Sequence, residues 1–200
     1  MPAQENPAPP VPGAALVLNA AAIERILRRI AHELIEGNPD LARLALVGIP
    51  SRGVEMARRI AAYVAEFAGR PVETGVIDVS MHRDDLGIRP RMALVEPSRL
   101  PEGLETRTLV LVDDVLYSGR TCRAAMDALS SFGRPACIQY AVLIDRGHRE
   151  LPIRADYVGK NLPTAPGERV FVRLQATDGQ PDAVWISRAA EDAEKGDKKP

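Results

Sequence analysis

Apolar runs and amphipathic stretches alternate along most of the chain, and this alternation predicts strands and helices in turn. Short apolar runs predict four strands, over 44–49, 75–80, 109–112 and 137–144. The amphipathic stretches between them predict helices over 20–36, from about 54 to 67 and from about 120 to 132. Strands that alternate with helices favour a mostly parallel sheet covered by helices on both faces, so the expected fold class is α/β.

Local signals place the ends of several elements. Asn19 is a suitable N-cap for the first helix, and Gly133 ends the helix that starts near 120. Four residues of that later helix are expected on its buried side, namely Cys122, Ala125, Leu129 and Phe132. Two further strands are predicted over 169–174 and 183–187, and the Asp-Gly pair at 178–179 between them is a hairpin signal.

The pattern covers residues 16–187, which are expected to form one domain. Residues 1–15 hold five prolines and lack the charged n-region of a signal peptide, so a disordered lead-in is expected. Residues 188–200 are charged and poor in apolar side chains, which predicts a disordered tail. No apolar run approaches the roughly 20 residues that span a membrane, and a cytoplasmic protein is expected.

Composition excludes some classes of site. Hydrophobic residues make up 46% of the chain and charged residues 26%, as in ordinary globular proteins. The formal net charge is −1, so any nucleic-acid binding needs a local basic patch. Cys122 and Cys137 are expected to be buried and unpaired, and the three histidines lack the spacing of a zinc site.

The strongest chemical signal follows the strand at 109–112. Asp113 and Asp114 stand at its carboxyl end, which is the edge of an open α/β sheet where ligands bind. The segment Tyr-Ser-Gly-Arg-Thr at 117–121 then leads into a helix, whose free N–H groups suit a phosphate. The acidic pair would repel a bare phosphate, but it suits sugar hydroxyls or a divalent cation. A ribose 5-phosphate satisfies both halves of this pattern.

Other interpretations of the same stretch were weighed. An Asp-Asp pair after a strand is often only a helix cap in a solvated turn, and this interpretation stays open. A Walker A loop would need glycine at the position of Asp114 and lysine at that of Arg120. No G-x-G-x-x-G follows a predicted strand, which argues against a dinucleotide site.

A second strand, at 44–49, is also followed by a turn that could bind phosphate. Ser51, Arg52 and Gly53 combine a hydroxyl, a guanidinium and exposed N–H groups, which suits a pyrophosphate, although a plain connecting turn fits as well. Residues 87–105 lack periodicity, and so long a segment inside a domain is usually functional or mobile. The first helix has a basic face of Arg25, Arg28, Arg29 and His32, which by spacing alone is more often solvated than bound to nucleic acid.

Together, segments 109–121 and 51–53 resemble the phosphoribosyl diphosphate (PRPP) motif and the pyrophosphate loop of the type I phosphoribosyltransferases. The resemblance implies their fold, with a central mostly parallel sheet flanked by helices, a small hood and a flexible catalytic loop. It implies that Asp113 and Asp114 hold the ribose hydroxyls, and that Arg52 and Arg83 neutralise the leaving pyrophosphate. The residues implied to surround the 5-phosphate are Tyr117, Ser118, Gly119, Arg120 and Thr121.

Longer segments narrow the resemblance. Residues 82–86, 112–121 and 145–161 resemble the signatures of the PyrR family of bacterial pyrimidine-operon attenuators. The resemblance implies a uracil phosphoribosyltransferase that makes UMP and pyrophosphate from uracil and PRPP, with Mg²⁺ held mainly by PRPP. It also implies an RNA-binding regulator that senses the uridine nucleotides UMP and UTP, binds an mRNA leader hairpin of pyrimidine genes and forms a homo-oligomer.

The same resemblance assigns further residues. Tyr157 and Val158 are implied to form the uracil pocket. The implied RNA surface draws on Arg28, Arg29, His32, Arg146, Arg149, Arg154 and Lys160.

Two other functions were considered. The short, altered loop at 86–103 and His82, which stands where the family signature has Tyr, favour an alternative: an RNA-binding regulator with little or no transferase activity, its pocket kept as a nucleotide sensor. A transferase for a purine or orotate is poorly supported, because it would need a different base-pocket segment from the one at 157–160.

Overall fold

A five-stranded parallel sheet forms the centre of the protein in the computed structural model, which describes residues 7–80 and 97–188. Its strands lie in the order β3-β2-β4-β5-β6. Their bounds are β2 Leu44–Gly48, β3 Glu73–Val76, β4 Thr108–Leu116, β5 Cys137–Asp145 and β6 Tyr157–Asn161. The connections carry helices α1 Ala20–Gly37, α2 Arg52–Ala68 and α3 Arg120–Ser130. The expected α/β class and parallel sheet are thereby confirmed.

A second, antiparallel sheet brings the two ends of the described chain together. Strand β1 Ala15–Asn19 pairs with β8 Ala183–Arg188, which also pairs with β7 Glu168–Arg173. This small sheet corresponds to the expected hood. The hairpin signal at 178–179 lies between β7 and β8, but the connection is a short helix, α4 Gln175–Asp178, that ends at a left-handed Gly179.

Two apolar layers cover the central sheet. Helices α1 and α2 pack on one face with Leu46, Val110, Val112 and Tyr157. Helix α3 packs on the other face with Leu109, Leu111, Tyr140 and Val142. Adjacent residues of β4 therefore point into different layers, as the two-residue period of a strand requires.

The start of α1 agrees with the sequence analysis, whereas the end of β4 and two further strands do not. Asn19 caps α1 as expected, because its side-chain Oδ1 accepts a hydrogen bond from the Ala22 N–H at 2.9 Å. Strand β4 continues past 112 and includes the acidic pair, since pairing with β5 extends to Leu116. Strands β1 and β6 were missed, because β1 directly follows the proline-rich segment and β6, with the sequence Tyr-Val-Gly-Lys-Asn, has no continuous apolar run.

Two predictions of burial were wrong. Cys137 is exposed at the first position of β5, whereas Cys122 is buried as expected. Phe132 is 50% exposed, because helix α3 ends at Ser130 and the ring lies beyond it. Among the described residues, no helix combines the length and apolar character needed to cross a membrane.

Candidate functional site

The acidic pair lies near the carboxyl end of the middle strand of the sheet. Asp113 is buried, and its Oδ2 accepts a hydrogen bond from the Tyr140 hydroxyl at 3.2 Å. Its Oδ1 accepts the Asp114 N–H at 2.9 Å. Asp114 is partly exposed and lies 3.8 Å from Nη1 of Arg52. The two carboxylates therefore have different partners, one from β5 and one from α2.

Burial and mutual repulsion disturb the ionisation of this pair. Burial raises the pKa of Asp113 to about 8, with a further contribution from the charge of Asp114. Burial also raises the pKa of Asp114, although the nearby Arg52 guanidinium opposes that rise. Burial and the charge of Asp113 raise the pKa of Tyr140 well above its usual value, so its hydroxyl stays protonated as a donor. The pair therefore resists carrying two negative charges at once, while its oxygen atoms can still accept hydrogen bonds from hydroxyl groups.

Arg52 begins helix α2 and lies between the acidic pair and the small sheet. Its Nη2 and Nε donate to the two carboxylate oxygens of Asp178, at 2.6 and 3.0 Å. Ser51 is exposed beside it, after a cis peptide bond from Pro50. Gly53 is required by close packing, because a Cβ there would lie 2.2 Å from the Val112 carbonyl oxygen. The turn thus holds one guanidinium next to the end of β4.

The segment at 117–121 forms a tight turn between β4 and α3. Gly119 has φ +93°, a conformation that favours glycine, and α3 begins at the next residue. The Arg120 N–H lies 3.4 Å from the Ser118 hydroxyl oxygen. The first N–H groups of an α-helix have no partner within it, so this turn is a suitable seat for a phosphate. Tyr117 is 40% exposed at its rim.

A second segment, at 145–154, packs against that turn and forms hydrogen bonds with its backbone. The N–H groups of Glu150 and Leu151 both donate to the Ser118 carbonyl oxygen, at 3.0 and 3.1 Å. Arg149 Nη1 donates to the Tyr117 carbonyl oxygen at 2.8 Å. The side chains of Leu151 and Ile153 lie 3.3–3.4 Å from where a Cβ on Gly119 would be. Segment 145–154 therefore defines the shape of the turn, a role that the sequence analysis did not assign to it.

The residues expected to hold uracil are separated by the sheet. Tyr157 points into the layer of α1 and α2, where its hydroxyl is bonded to the Asn38 amide at 3.1 Å and to Gln139 at 3.2 Å. Its assignment to the uracil pocket is therefore corrected, because a buried ring on that face cannot shape a site on the other. Val158, the next residue of β6, points into the layer of α3.

Several residues of the expected RNA surface are bonded within the protein. Arg146 is buried, donates to the Glu168 carbonyl oxygen at 2.6 Å and covers the Tyr117 ring at 4.3 Å. Arg149 forms an ion pair with Asp145 in addition to its bond to Tyr117. These two arginines are internal supports, because the chain supplies hydrogen-bond acceptors to both and a carboxylate to Arg149. Their expected contact with RNA stays a prediction.

The other residues of that surface are more accessible. Arg28 forms an ion pair with Glu66 and covers the rings of Tyr63 and Phe67 at 4.9 and 4.7 Å. His32 stacks on Phe67 at 4.0 Å, and Arg29 donates to the carbonyl oxygens of 158 and 159. Arg154 and Lys160 are exposed.

Some expected features have no counterpart in the described ranges. Arg83, most of the expected catalytic loop and His82 lie outside the described residues. Among the residues that are described, no group of three or more His, Cys, Asp or Glu side chains could hold a metal ion. Tyr140 and Asp178 were missed by the sequence analysis, since each depends on a spatial neighbour more than 25 positions away.

Comparison with known proteins agrees with this geometry. Residues 15–175 match the phosphoribosyl transferase domain. A "Bifunctional protein PyrR" of Chloroflexus aurantiacus is 54% identical over 176 residues, which are 88% of this chain and 97% of that protein. One of Thermus thermophilus is 53% identical over 167 residues, or 82% of this chain and 91% of the relative.

Solved structures agree on the fold. The hypoxanthine phosphoribosyltransferase of Trypanosoma cruzi superposes with a TM-score of 0.64 at 19% identity, covering 87% of this chain and 96% of that one. At that identity the similarity concerns the fold alone. The chain belongs to the phosphoribosyltransferase family and, within it, to the bifunctional PyrR proteins.

Proposed function

We propose that the protein transfers a phosphoribosyl group from PRPP to uracil, giving UMP and pyrophosphate, and that it also regulates pyrimidine genes by binding RNA. The observation that supports the transferase best is the position of the acidic pair. Asp113 and Asp114 lie on one side of the turn at 117–121, and Arg52 lies 3.8 Å from Asp114. PRPP carries ribose hydroxyls, a 5-phosphate and a 1-pyrophosphate. The acidic pair, the turn at 117–121 and Arg52 would bind these three parts in turn.

The chemistry follows from the charges. The uracil N1 attacks the ribose C1′, the bond from C1′ to the pyrophosphate oxygen breaks with its electrons leaving on pyrophosphate, and the N1 proton is lost. Positive charge develops on the ribose, where the negative charge of the Asp113–Asp114 pair stabilises it. Arg52 offers a guanidinium to the departing pyrophosphate, and Arg83 is proposed to add a second one. The turn at 117–121 anchors the 5-phosphate and so orients C1′.

Mg²⁺ is proposed as the cofactor, bound by oxygens of PRPP. When bound, Mg²⁺ neutralises the pyrophosphate and makes it a better leaving group. The protein then has to position the ribose, the 5-phosphate and the pyrophosphate of PRPP.

Val158 is proposed to contribute to the uracil pocket, because it faces the layer of α3 near the carboxyl ends of β4 and β5. Parallel register pairs Val158 with Val142, and Val142 with Asp113. Val158 therefore lies two strands away from the acidic pair on the same sheet. An apolar wall at this distance suits the flat face of a small base.

The transferase is tested by Mg²⁺-dependent formation of UMP from uracil and PRPP. The double variant Asp113→Asn/Asp114→Asn should lose the activity, while Asp127→Asn, which removes an exposed carboxylate from α3, should retain it. A double variant as active as the wild type would overturn the assigned roles. If the wild type is inactive but UMP still raises its melting temperature, the alternative of a regulator with a sensing pocket is favoured.

RNA binding is proposed for the face that carries His32, Arg29, Arg154 and Lys160. Exposed basic side chains contact phosphates, and a stacked ring at the surface suits unpaired bases of a hairpin loop. The proposed ligand is an mRNA leader hairpin of pyrimidine genes, and a homo-oligomer is the proposed assembly. Because the net charge is only −1, this patch can act without long-range repulsion from the rest of the chain.

A gel-shift titration with such a hairpin tests the second function. Arg154→Glu/Lys160→Glu should abolish retention while UMP formation stays near the wild-type rate, because both side chains are exposed to solvent. As a matched charge reversal, Arg70→Glu changes an exposed arginine at the far end of α2 and should leave RNA binding intact. Full retention by the double variant would exclude this face.

A further inference from the structure

The hydroxyl of Tyr140 donates a hydrogen bond to Asp113, one of the two carboxylates that are proposed to bind the ribose. The distance from Tyr140 Oη to Asp113 Oδ2 is 3.2 Å, and both side chains are buried. The neighbouring strands β4 and β5 supply the two residues, which lie 27 positions apart. This hydrogen bond therefore connects β5 to the candidate site at Asp113 of β4.

We propose that Tyr140 is a positioning residue for the ribose site, which acts by orienting the Asp113 carboxylate and favouring its ionised form. The inference rests on the proposed function, because it assumes that Asp113 accepts hydrogen bonds from ribose hydroxyls.

The orientation follows from two fixed donors. Asp113 Oδ1 accepts the Asp114 N–H at 2.9 Å, and Oδ2 accepts the Tyr140 hydroxyl. Two donors on two oxygens define the plane of a carboxylate, whereas one donor leaves rotation about χ2 open. The remaining lone pairs then point in a defined direction for a ligand. Tyr140 itself is held in place, since its N–H donates to Asp156 Oδ2 at 2.8 Å.

The effect on ionisation follows from the surroundings of Asp113. Asp114 from the same strand disfavours a charge on Asp113, and of these two carboxylates it is Asp114 that lies 3.8 Å from Arg52 of α2. From α3 the buried Cys122 faces Asp113 as a protonated thiol, because burial raises its pKa to about 12. Asp156, before β6, adds a carboxylate beside Tyr140. Among the described hydroxyl and guanidinium groups around the pair, the Tyr140 hydroxyl donates a hydrogen bond to Asp113, and a hydrogen bond to the ionised form lowers the pKa of Asp113.

The chain offers a matched control. Tyr157 also loses only a buried hydroxyl when changed to phenylalanine, and it lies on the other face of the same sheet, bonded to Asn38 and Gln139. Tyr157→Phe should therefore cost a similar amount of stability without changing how ribose ligands respond to pH. Thermal unfolding of both variants measures that cost directly.

The test is binding of ribose 5-phosphate and of UMP by calorimetry from pH 6 to 10, together with the pH profile of UMP formation. Tyr140→Phe should weaken both ligands about tenfold at neutral pH, the effect of losing one hydrogen bond to a charged group. The pH at which affinity rises should shift upward, so that the deficit shrinks in alkaline solution. Tyr157→Phe should follow the wild-type curve.

A double-mutant cycle separates this role from a merely structural one. In an Asp113→Asn background, Tyr140→Phe should change ligand affinity less than twofold, because the carboxylate that it orients is gone. An unshifted pH curve, or an equal loss in both backgrounds, would overturn the inference. If wild-type protein bound neither ligand, the proposed function itself would fail, and that outcome is distinguishable from a loss confined to Tyr140→Phe.

Discussion

Arg52 of helix α2 is bonded at two points to Asp178 of the β7–β8 connection, Nη2 to Oδ1 at 2.6 Å and Nε to Oδ2 at 3.0 Å. The contact uses one edge of the guanidinium and leaves Nη1 directed toward Asp114. Asp178 is fixed in turn, because its Oδ2 also accepts the Leu174 N–H at 2.8 Å. The small sheet therefore orients the cation that we assign to pyrophosphate.

Asp178→Asn should weaken this orientation. We expect the free energy of unfolding to fall by about 1–2 kcal/mol, because a bond between charged groups is replaced by a weaker one. We also expect the KM for PRPP to rise several-fold in steady-state assays.

Asp182→Asn is the matched control, because it removes another ion pair between the small sheet and α2, that with Arg59, without touching Arg52. It should lower stability and leave the KM for PRPP unchanged. An equal rise of KM in both variants would indicate that the small sheet acts only through stability.

Asp113→Asn should stabilise the ligand-free protein. The pKa of Asp113 is raised from 3.8 to about 8 in the folded state, so folding favours its protonated form. Its contribution to stability is complete below pH 3.8 and is lost as the pH rises toward 8. Thermal unfolding should show a higher melting temperature for the variant at pH 7, with a difference that grows from pH 4 to 8. A constant difference across that interval would contradict the shifted ionisation.

Gly119→Ala should damage the turn at 117–121 more than its backbone strain alone explains. A left-handed residue other than glycine costs about 1–2 kcal/mol, and the new Cβ would also lie 3.3 Å from Ile153 Cβ. We expect loss of UMP binding in calorimetry. Gly69→Ala has nearly the same strain, at φ +65° with nothing within 4 Å, and should lower stability while retaining UMP binding.

Arg149→Ala should reduce UMP formation and leave RNA binding near the wild-type level. Its guanidinium connects Asp145 to the carbonyl oxygens of Tyr117 and Ile153, so its removal loosens the turn that we assign to the 5-phosphate. Assays of both activities on one preparation check this. A variant that lost RNA binding but kept wild-type UMP affinity would place Arg149 on the RNA surface after all.

The sequence predicted the parallel sheet, three helices and the acidic pair, because continuous apolar runs and amphipathic periods mark elements that are buried in the core. It missed that Asp113 and Asp114 lie inside β4, since carboxylates are uncommon in strands and only pairing with β5 keeps them there. The internal contacts of Arg146 and Arg149 could not be predicted from the sequence either, because they also depend on residues elsewhere in the chain. A basic residue looks the same in sequence whether its partner is a phosphate or a carbonyl oxygen elsewhere in the chain.

Because the acidic pair is part of β4 and not of a loop, its backbone belongs to the most protected part of the molecule. Asp113 and Val115 are registered against Val142 and Ile144 in the interior of the sheet. Amides there are expected to exchange with deuterium only when the whole domain unfolds, whereas the turn at 117–121 can open locally. The proposed ribose seat and the proposed phosphate seat would then differ in local stability, although only Val115 and Leu116 separate them along the chain.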